Sequence, residues 1–280
     1  MITALDHVVL LCPDIDAAVA DYTVLMGAEP VWHAREGGTE TAVYHVRNTY
    51  LELLGPHGAG DAADKLREMT AKGAKFSTLV YRSDDLSADH HQLKRRGLDP
   101  VDILPGQSRH LKSGEARDWN RFRIPDEHVA GVKSFVLERT MDFPEPESFE
   151  EGSVTKLDHL VINTPNPDRA AALYGARLGL RFALDRRAPE WKTRFLFFRL
   201  GGLTLEVINR LDQISEPDDP DTIWGVTWAV EDLEAAHQRL NAAQRDVSEI
   251  RTGRKPGSRV FTVRDGTLGI PTLFIHHAPR

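Results

Sequence analysis

The chain has 280 residues, enough for two domains of ordinary size. Its net charge of −7 argues against a nucleic-acid-binding protein, which needs clustered Lys and Arg, and its single Cys12 excludes a disulfide framework and a cysteine-based zinc site. No apolar run is long enough for a membrane span, and no signal peptide is recognisable. We therefore expect a cytoplasmic protein with a small-molecule substrate and with no membrane or nucleic-acid partner.

The sequence before residue 141 predicts two similar units, each with a strand, a helix and three further strands. In the first unit Asp14 or Asp16 caps the helix and Gly27 ends it, since glycine readily adopts the left-handed conformation of a helix terminus. A helix at 62–71 connects the units. The long polar segment at 104–117 is predicted to be a loop. The predicted strands lie at 8–11, 29–33, 41–46, 50–54, 76–82, 119–124 and 132–139.

An acidic, proline-containing stretch at 141–153 predicts a linker, because it shows neither helical nor strand periodicity. After the linker the same order of elements returns. A helix over 170–178 ends at Gly179, and the dipeptide Gly201–Gly202 predicts a two-residue hairpin turn. Further strands are predicted at 157–163, 195–200, 203–208, 224–230, 259–263 and 272–276, and a further helix at 234–243.

The two halves also repeat short sequence patterns at a separation of about 150 residues, which indicates a duplicated domain. Because the chain has room for only two copies, it is not a solenoid. We predict an N-terminal domain at 1–140 and a C-terminal domain at 154–280. The repeated pairs are Leu5–Leu10 with Leu157–Ile162, Tyr50–Leu54 with Thr204–Ile208, and Ser83–Leu86 with Val230–Leu233.

The repeated unit resembles the vicinal-oxygen-chelate superfamily, which includes glyoxalases, bleomycin-resistance proteins and extradiol dioxygenases. The matching pattern is strand–His–helix–Leu-Gly, then strands that end in Leu-Glu-Leu, then strand–Asp-Asp-Leu–helix. The closing segment Gly269–His276 is closer to the glyoxalase-like domain branch. The resemblance covers nearly the whole chain and implies an α+β fold of two tandem domains, each with paired βαβββ units that form a curved eight-stranded mixed sheet with outer helices.

The resemblance also implies ligands for a divalent metal on the first, fourth, fifth and eighth strands of each domain. In the C-terminal domain these positions offer His159, Glu206 and His276, which we predict to converge in one cleft. Two histidines and a carboxylate suit Fe(II), Mn(II) or similar ions, with Zn and Ni as alternatives. Both domains lack the usual fifth-strand histidine, having Thr78 and Gly225 instead, which favours a protein without metal. The second candidate set, in the N-terminal domain, is His7, Glu52 and Glu138.

These residues also have structural interpretations. A strand histidine such as His7 is more often a satisfied structural group than a ligand, and Glu52 or Glu206 could pair with a nearby arginine. A polar group among apolar neighbours in mid-strand carries a desolvation cost unless it is paired or ligated. His277 alternates to the face opposite His276, so we predict it at the surface.

Three residues are candidates for substrate binding. Trp119, Arg121 and Arg123 share one face of a predicted strand and could clamp a carboxylate. A salt-bridged outer face is an equally good interpretation of the same spacing.

Two classes of function remain. In the first, an enzyme uses a metal at His159, Glu206 and His276 as Lewis acid, with Glu206 or a neighbouring base moving a proton. We place lyase or isomerase chemistry ahead of an extradiol-type ring-cleaving dioxygenase, because Gly225 and His276 depart from the dioxygenase pattern. In the second, the chain binds a small ligand without metal. Fold alone does not decide between them, and a homodimer is left open.

Overall fold

The structure, a computed structural model, describes residues 2–146 and 149–278. The chain forms two eight-stranded mixed sheets with helices packed against them, which confirms the predicted α+β fold of two tandem domains. The N-terminal elements are β1 (Ile2–Leu11), α1 (Ile15–Met26), β2 (Trp32–Glu36), β3 (Thr39–Val46), β4 (Thr49–Pro56), α2 (Asp61–Thr70), β5 (Lys75–Ser83), α3 (Leu86–Arg95), β6 (Leu104–Arg109), β7 (Ala116–Ile124) and β8 (Lys133–Arg139).

The C-terminal sheet repeats this order with one helix fewer. Its first helix begins as α4 (Pro167–Ala170) and continues as a π-helix over Ala171–Arg177. The remaining elements are β9 (Val154–Asn163), β10 (Arg181–Ala188), β11 (Thr193–Leu200), β12 (Leu203–Arg210), β13 (Thr222–Val230), α5 (Leu233–Ala242), β14 (Arg251–Thr252), β15 (Ser258–Val263) and β16 (Thr272–His277).

The two sheets have the same strand order, β2-β3-β4-β1-β5-β8-β7-β6 and β10-β11-β12-β9-β13-β16-β15-β14. In each, the first strand pairs in parallel with the fourth, and the repeated histidines occupy equivalent positions. His7 lies opposite Tyr50, and His159 lies opposite Thr204. The sequence repeat is therefore a repeat of register as well as of strand order.

The predicted helix ends are formed as expected. Asp14 accepts a hydrogen bond from the amide of Ala17 at 3.0 Å, and Asp232 accepts one from Ala235 at 2.8 Å. Gly27 and Gly179 end their helices with φ of 70° and 79°, in the left-handed region that favours glycine.

Three edge strands were not predicted: β6, β10 and the two-residue β14. β6 lies within the segment predicted to be a loop, and β10 lies in a stretch for which we predicted no strand. Both are at the edge of their sheets, where solvent replaces one layer of apolar neighbours and the pattern of alternating burial is lost. Pro105 in β6 is tolerated there because an edge strand does not need every N–H.

The helix-covered faces of both sheets share one continuous apolar cluster. Leu203, Leu205 and Val207 point into it, as their alternation predicts. The Gly201–Gly202 turn has positive φ at both residues, as a type I′ turn requires, and it packs against Ala4 of the other domain. Within the described ranges no helix is long and apolar enough to cross a membrane.

Candidate active site in the C-terminal cleft

A β-bulge in the first strand of each domain sets the position of its histidine. Along β9, His159 pairs with Thr227 while Leu157 pairs with Trp228, which leaves Asp158 as an extra residue. Along β1 the extra residue is Asp6. A bulge lets two consecutive side chains lie on the same side of a sheet, so each aspartate lies beside its histidine on the face away from the helices.

In the C-terminal domain the bulge builds a chain of hydrogen bonds. Asp158 accepts one from His159 Nδ1 at 2.7 Å and another from His277 Nε2 at 2.6 Å. His159 Nε2 lies 2.9 Å from the Thr227 hydroxyl and 3.6 Å from Glu206 Oε2. Burial would raise the pKa of Asp158, but the hydrogen bonds from the two histidines lower it to about 2. An ionised Asp158 therefore orients the His159 ring and leaves Nε2 facing Glu206.

Glu206 has the electrostatic features of an acid–base group. Desolvation by burial raises the pKa of its carboxyl above the usual value, and the nearby His159 and Arg254 only partly oppose this. The side chain is still 19% exposed, so a ligand in the cleft can reach it. A partly desolvated carboxyl beside an oriented imidazole is a typical arrangement for proton transfer.

In the N-terminal domain the equivalent residues are paired with one another. His7 lies between two carboxylates, with Nδ1 2.5 Å from Asp6 and Nε2 3.0 Å from Glu52. Burial alone would lower the pKa of His7, but these two partners outweigh it and raise the pKa. Arg139 donates two hydrogen bonds to Asp6 and, together with His7, holds the pKa of that aspartate well below its usual range despite its burial. The network resembles a structural ion cluster more than a site with free groups.

The N-terminal cleft is also filled by the chain itself. Helix α2 packs against β4 and β1, and its Leu66 and Met69 join the apolar cluster of Val9 and Val80 on the cleft face. No helix stands between β12 and β13 in the C-terminal domain, where residues 211–221 form a loop. A helix therefore packs on the cleft face of the N-terminal sheet, whereas the C-terminal cleft face buries Val161, Phe195 and Ile208 without a helix over it.

The interdomain segment covers a second part of the N-terminal cleft. The Phe143 ring lies 4.3 Å from the guanidinium carbon of Arg139 and 4.6 Å from that of Arg117. It also contacts Tyr50 edge-on, at 4.9 Å between ring centroids. Arg139 in turn binds the fully buried Asp6, so the segment that follows β8 covers the aspartate end of the His7 network, while Glu52 stays 21% exposed.

The C-terminal cleft has an aromatic wall instead. Phe195 and Phe197 stack at 6.1 Å on the face of β11 that carries Glu206 in the adjacent strand, and Trp191 meets Phe195 edge-on at 5.9 Å. The Trp191 ring is 42% exposed. This cleft can accept a small ligand against its apolar wall.

The structure corrects the predicted eighth-strand ligands. His276 pairs across the sheet with Arg259, and Arg259 binds Glu234 of α5, so His276 lies on the helix-covered face. It contacts the carbonyl of Val230 and does not converge with His159 and Glu206, so that prediction is wrong. His277 lies on the face opposite His276, as predicted, and is 30% exposed, but it also donates to Asp158, a contact that was not predicted.

The predicted position of Glu138 is also wrong, because this side chain too lies on the helix-covered face of its sheet. It alternates with Leu137, which lies in the cleft-side cluster, and shares its phase with Val136, which lies in the helix-side core. Glu138 therefore faces away from His7 and Glu52, and the second candidate set does not form a site.

The donors of neither cleft fit a metal held by three protein ligands. Among residues 2–146 and 149–278, no group of three His, Cys, Asp or Glu side chains is arranged to hold an ion. In the C-terminal cleft His159 and Glu206 are the two facing donors, and the neighbouring group on β13 is the Thr227 hydroxyl, 2.9 Å from His159 Nε2. In the N-terminal cleft His7 and Glu52 are hydrogen-bonded to each other. Fe(II) and Mn(II) sites need a fuller set.

Trp119, Arg121 and Arg123 share one face of β7, as predicted, and this is the cleft face of the N-terminal sheet. Trp119 packs against the cleft-side apolar cluster, and Arg121 lies 5.2 Å above the Phe135 ring. Arg123 is 3.6 Å from Asp126. The proposed carboxylate clamp stays a prediction.

Sequence reasoning missed the residues that orient the histidines. Asp6 and Asp158 stand directly before them in both repeats, and this identity was the available signal. Strict alternation places an aspartate and its neighbouring histidine on opposite faces, so the bulge hid the contact.

Comparison with known proteins agrees with the repeated architecture. Residues 5–155 match the "Glyoxalase-like domain" family, and residues 158–262 match the "Glyoxalase/Bleomycin resistance protein/Dioxygenase superfamily". The chain belongs to the glyoxalase-like domain family. An ethylmalonyl-CoA/methylmalonyl-CoA epimerase from Cereibacter sphaeroides is 31% identical over 99 residues, which cover 35% of this chain and 73% of the relative.

Solved structures share the fold of the glyoxalase-like chain over its whole length. A mutant of 4-hydroxymandelate synthase from Streptomyces coelicolor has a TM-score of 0.73 at 12% identity, covering 100% of this chain and 95% of that one. The 2,2',3-trihydroxybiphenyl 1,2-dioxygenase from Sphingomonas wittichii has a TM-score of 0.63 at 13% identity, covering 99% and 91%. At such identities the likeness concerns the fold alone.

Proposed function

We propose that this glyoxalase-like chain is an enzyme that moves a proton on a small substrate with vicinal oxygens, in isomerase or lyase chemistry. The C-terminal cleft is its active site. The observation that carries the proposal is Glu206, a partly exposed carboxyl with a raised pKa, 3.6 Å from the oriented His159. We further propose a cytoplasmic enzyme; a homodimer stays a prediction.

The two side chains have complementary roles. Ionised Glu206 removes a proton from the carbon next to a substrate carbonyl. In its imidazolium form His159 donates from Nδ1 to Asp158, which keeps the ring oriented, and from Nε2 to the oxygen on which negative charge develops. Glu206 then returns the proton to the neighbouring carbon, or to the opposite face of the same carbon after the planar enolate has turned over in the cleft, so no other reactant is consumed. Because the available donors do not fit a three-ligand ion site, no step is assigned to a metal.

The comparison with the epimerase supports this class of reaction. An epimerase inverts one stereocentre, and the removal and return of a proton is a direct way to do so. The sheet wall of Phe195 and Phe197 would hold the apolar part of the substrate next to Glu206.

The proposal is tested by solvent-proton exchange. The protein is incubated in D2O with methylmalonyl-CoA and with a panel of small 2-hydroxy and 2-oxo acids, and loss of the C–H signal is followed by proton NMR. We expect enzyme-dependent incorporation of deuterium into at least one compound. Binding of these compounds, measured by calorimetry, without any exchange above the buffer rate would overturn it.

Binding without solvent-proton exchange would favour a binding protein without catalysis. The exposed Trp191 ring, with Arg254 at 4.5 Å and Arg186 at 5.4 Å, suits a flat or oxyanionic ligand. Calorimetric binding that survives Glu206→Gln, together with a lack of exchange, identifies this alternative.

A further inference from the structure

We infer that the mouth of the C-terminal cleft binds a phosphate-bearing group of the substrate, between the two domains. The inference rests on the proposed function for the position of the reacting end. A cavity of about 640 Å³ opens beside the β11–β12 turn and takes part of its wall from Ile2 and Thr3 of the N-terminal domain. Its cationic lining residues are Arg181, Arg199 and Lys255.

These three cations lack counter-charges. No Asp or Glu lines the cavity, and none of the described carboxylates forms an ion pair with Arg181, Arg199 or Lys255. Arg199 instead donates a hydrogen bond to the Thr204 hydroxyl, which fixes part of its guanidinium and leaves further N–H groups free. In a chain of net charge −7, three clustered cations without acidic partners form a distinct positive site.

The cavity is placed to extend the active site. Arg199 lies directly opposite Thr204, and Glu206 is two residues further along the same face of β12. At about 3.4 Å per residue, the cationic end is roughly 7 Å from the proposed base. A substrate can therefore place its reacting carbon at Glu206 and an anionic tail in the cavity.

In the N-terminal domain the position equivalent to Arg199 is covered by other residues of the chain. His45 occupies the place of Arg199, opposite Tyr50. It stacks on Phe149 of the interdomain segment at 6.2 Å, and the same ring lies 4.9 Å from the guanidinium of Arg47. Burial lowers the pKa of His45, which disfavours its charged form. The chain fills this position in one domain and leaves it open and cationic in the other.

The charge of the site favours phosphate over a single carboxylate. One carboxylate balances one of three cations, whereas a phosphate or pyrophosphate group carries more charge and offers acceptor oxygens to both arginines. The ligand class is a phosphorylated or nucleotide-linked acyl compound.

The test is calorimetric titration of the whole chain with inorganic pyrophosphate at low ionic strength. We expect one site per chain, with affinity weakened at least about tenfold by Arg199→Gln and by Arg181→Gln. Arg187→Gln, on the same strand β10 but outside the cavity, is the matched control and should change affinity less than about twofold. Thermal melting checks that each variant is folded.

Two outcomes overturn the inference: no pyrophosphate binding to the wild-type chain, or an equal loss in Arg187→Gln, which would indicate diffuse charge. Glu206→Gln should bind pyrophosphate normally, so a failure of the proposed chemistry is separable from a failure of this site. With an exchanging substrate, pyrophosphate should inhibit competitively. Inhibition that does not depend on substrate concentration would contradict the assignment of the cavity to the substrate's tail.

Discussion

Asp158 Oδ2 accepts a hydrogen bond from His277 Nε2 at 2.6 Å, joining the first and last long strands of the C-terminal sheet. The same contact in the N-terminal domain is made by Arg139 with Asp6. In both domains the aspartate accepts hydrogen bonds from the strand histidine beside it and from one residue of the eighth strand. That residue is Arg139, which is always charged, in the N-terminal domain and His277, which can lose its proton, in the C-terminal domain. The charge of the C-terminal network, which ends at Glu206, can therefore change with pH.

Asp158→Asn should damage catalysis without damaging the fold. Asn keeps the shape but removes the charge that orients His159, so we expect kcat to fall at least about tenfold with KM little changed. Steady-state kinetics of deuterium incorporation measures both. His277→Gln, which can still donate to Asp158, should have a smaller effect. Equal kcat values for Asp158→Asn and the wild type would remove Asp158 from the mechanism.

The pH dependence of the reaction should reflect Glu206. Because burial raises the pKa of this carboxyl above 4.5, and the base must be ionised, kcat/KM should rise with pH through a midpoint above 4.5. Carbon-13 NMR of Glu-labelled protein gives an independent value, with the Glu206 signal assigned by its loss in Glu206→Gln. A titration midpoint at or below that of free glutamate would be inconsistent with the described desolvation.

The N-terminal network should contribute stability. Arg139→Gln leaves the Asp6 carboxylate buried without its main partner, so we expect the free energy of unfolding to fall by about 3 kcal/mol or more. Urea denaturation measures it. Arg123→Gln is the matched control: its guanidinium is 41% exposed and lies 3.6 Å from Asp126, so its loss should cost less than about 1 kcal/mol. Similar costs for both variants would show that the Asp6 network is not a structural centre.

Removal of metal ions with a chelator tests whether the proposed reaction runs without a three-ligand metal site. Since His276 lies on the helix-covered face, dialysis against EDTA and the His276→Gln substitution should each leave the exchange rate within about twofold. Metal analysis of the dialysed protein verifies removal. Loss of activity on dialysis, restored by one divalent ion, would mean that His159 and Glu206 recruit a metal with substrate or water as further ligands.

Much of the fold was predictable because the repeat is written in the sequence. The echo of Leu5–Leu10 at Leu157–Ile162 and the Gly201–Gly202 turn gave the two tandem domains and a hairpin with the correct register. The helix ends followed from capping aspartates and glycines. Edge strands such as β6 escaped prediction, since their weak burial leaves no alternation to detect.

The candidate site was only half predictable. His159 and Glu206 lie on one face, as the alternation of β9 and β12 indicates. In β16, however, both Phe274 and Ile275 are buried, although they point to opposite faces of the sheet. Apolar periodicity then cannot decide which histidine, His276 or His277, faces the cleft. The contact with Asp158 decides it, and that contact depends on a bulge that no local pattern specifies.

The most direct test of the central claim, that the C-terminal cleft is the active one, compares two matched substitutions. Glu206→Gln and Glu52→Gln each remove one charge from equivalent positions of the repeat without changing side-chain shape. With folding verified by thermal melting, we expect solvent-deuterium incorporation to fall about 10²–10⁴-fold in Glu206→Gln and to stay within about threefold in Glu52→Gln. An equal loss in both variants, or a loss confined to Glu52→Gln, would contradict the account.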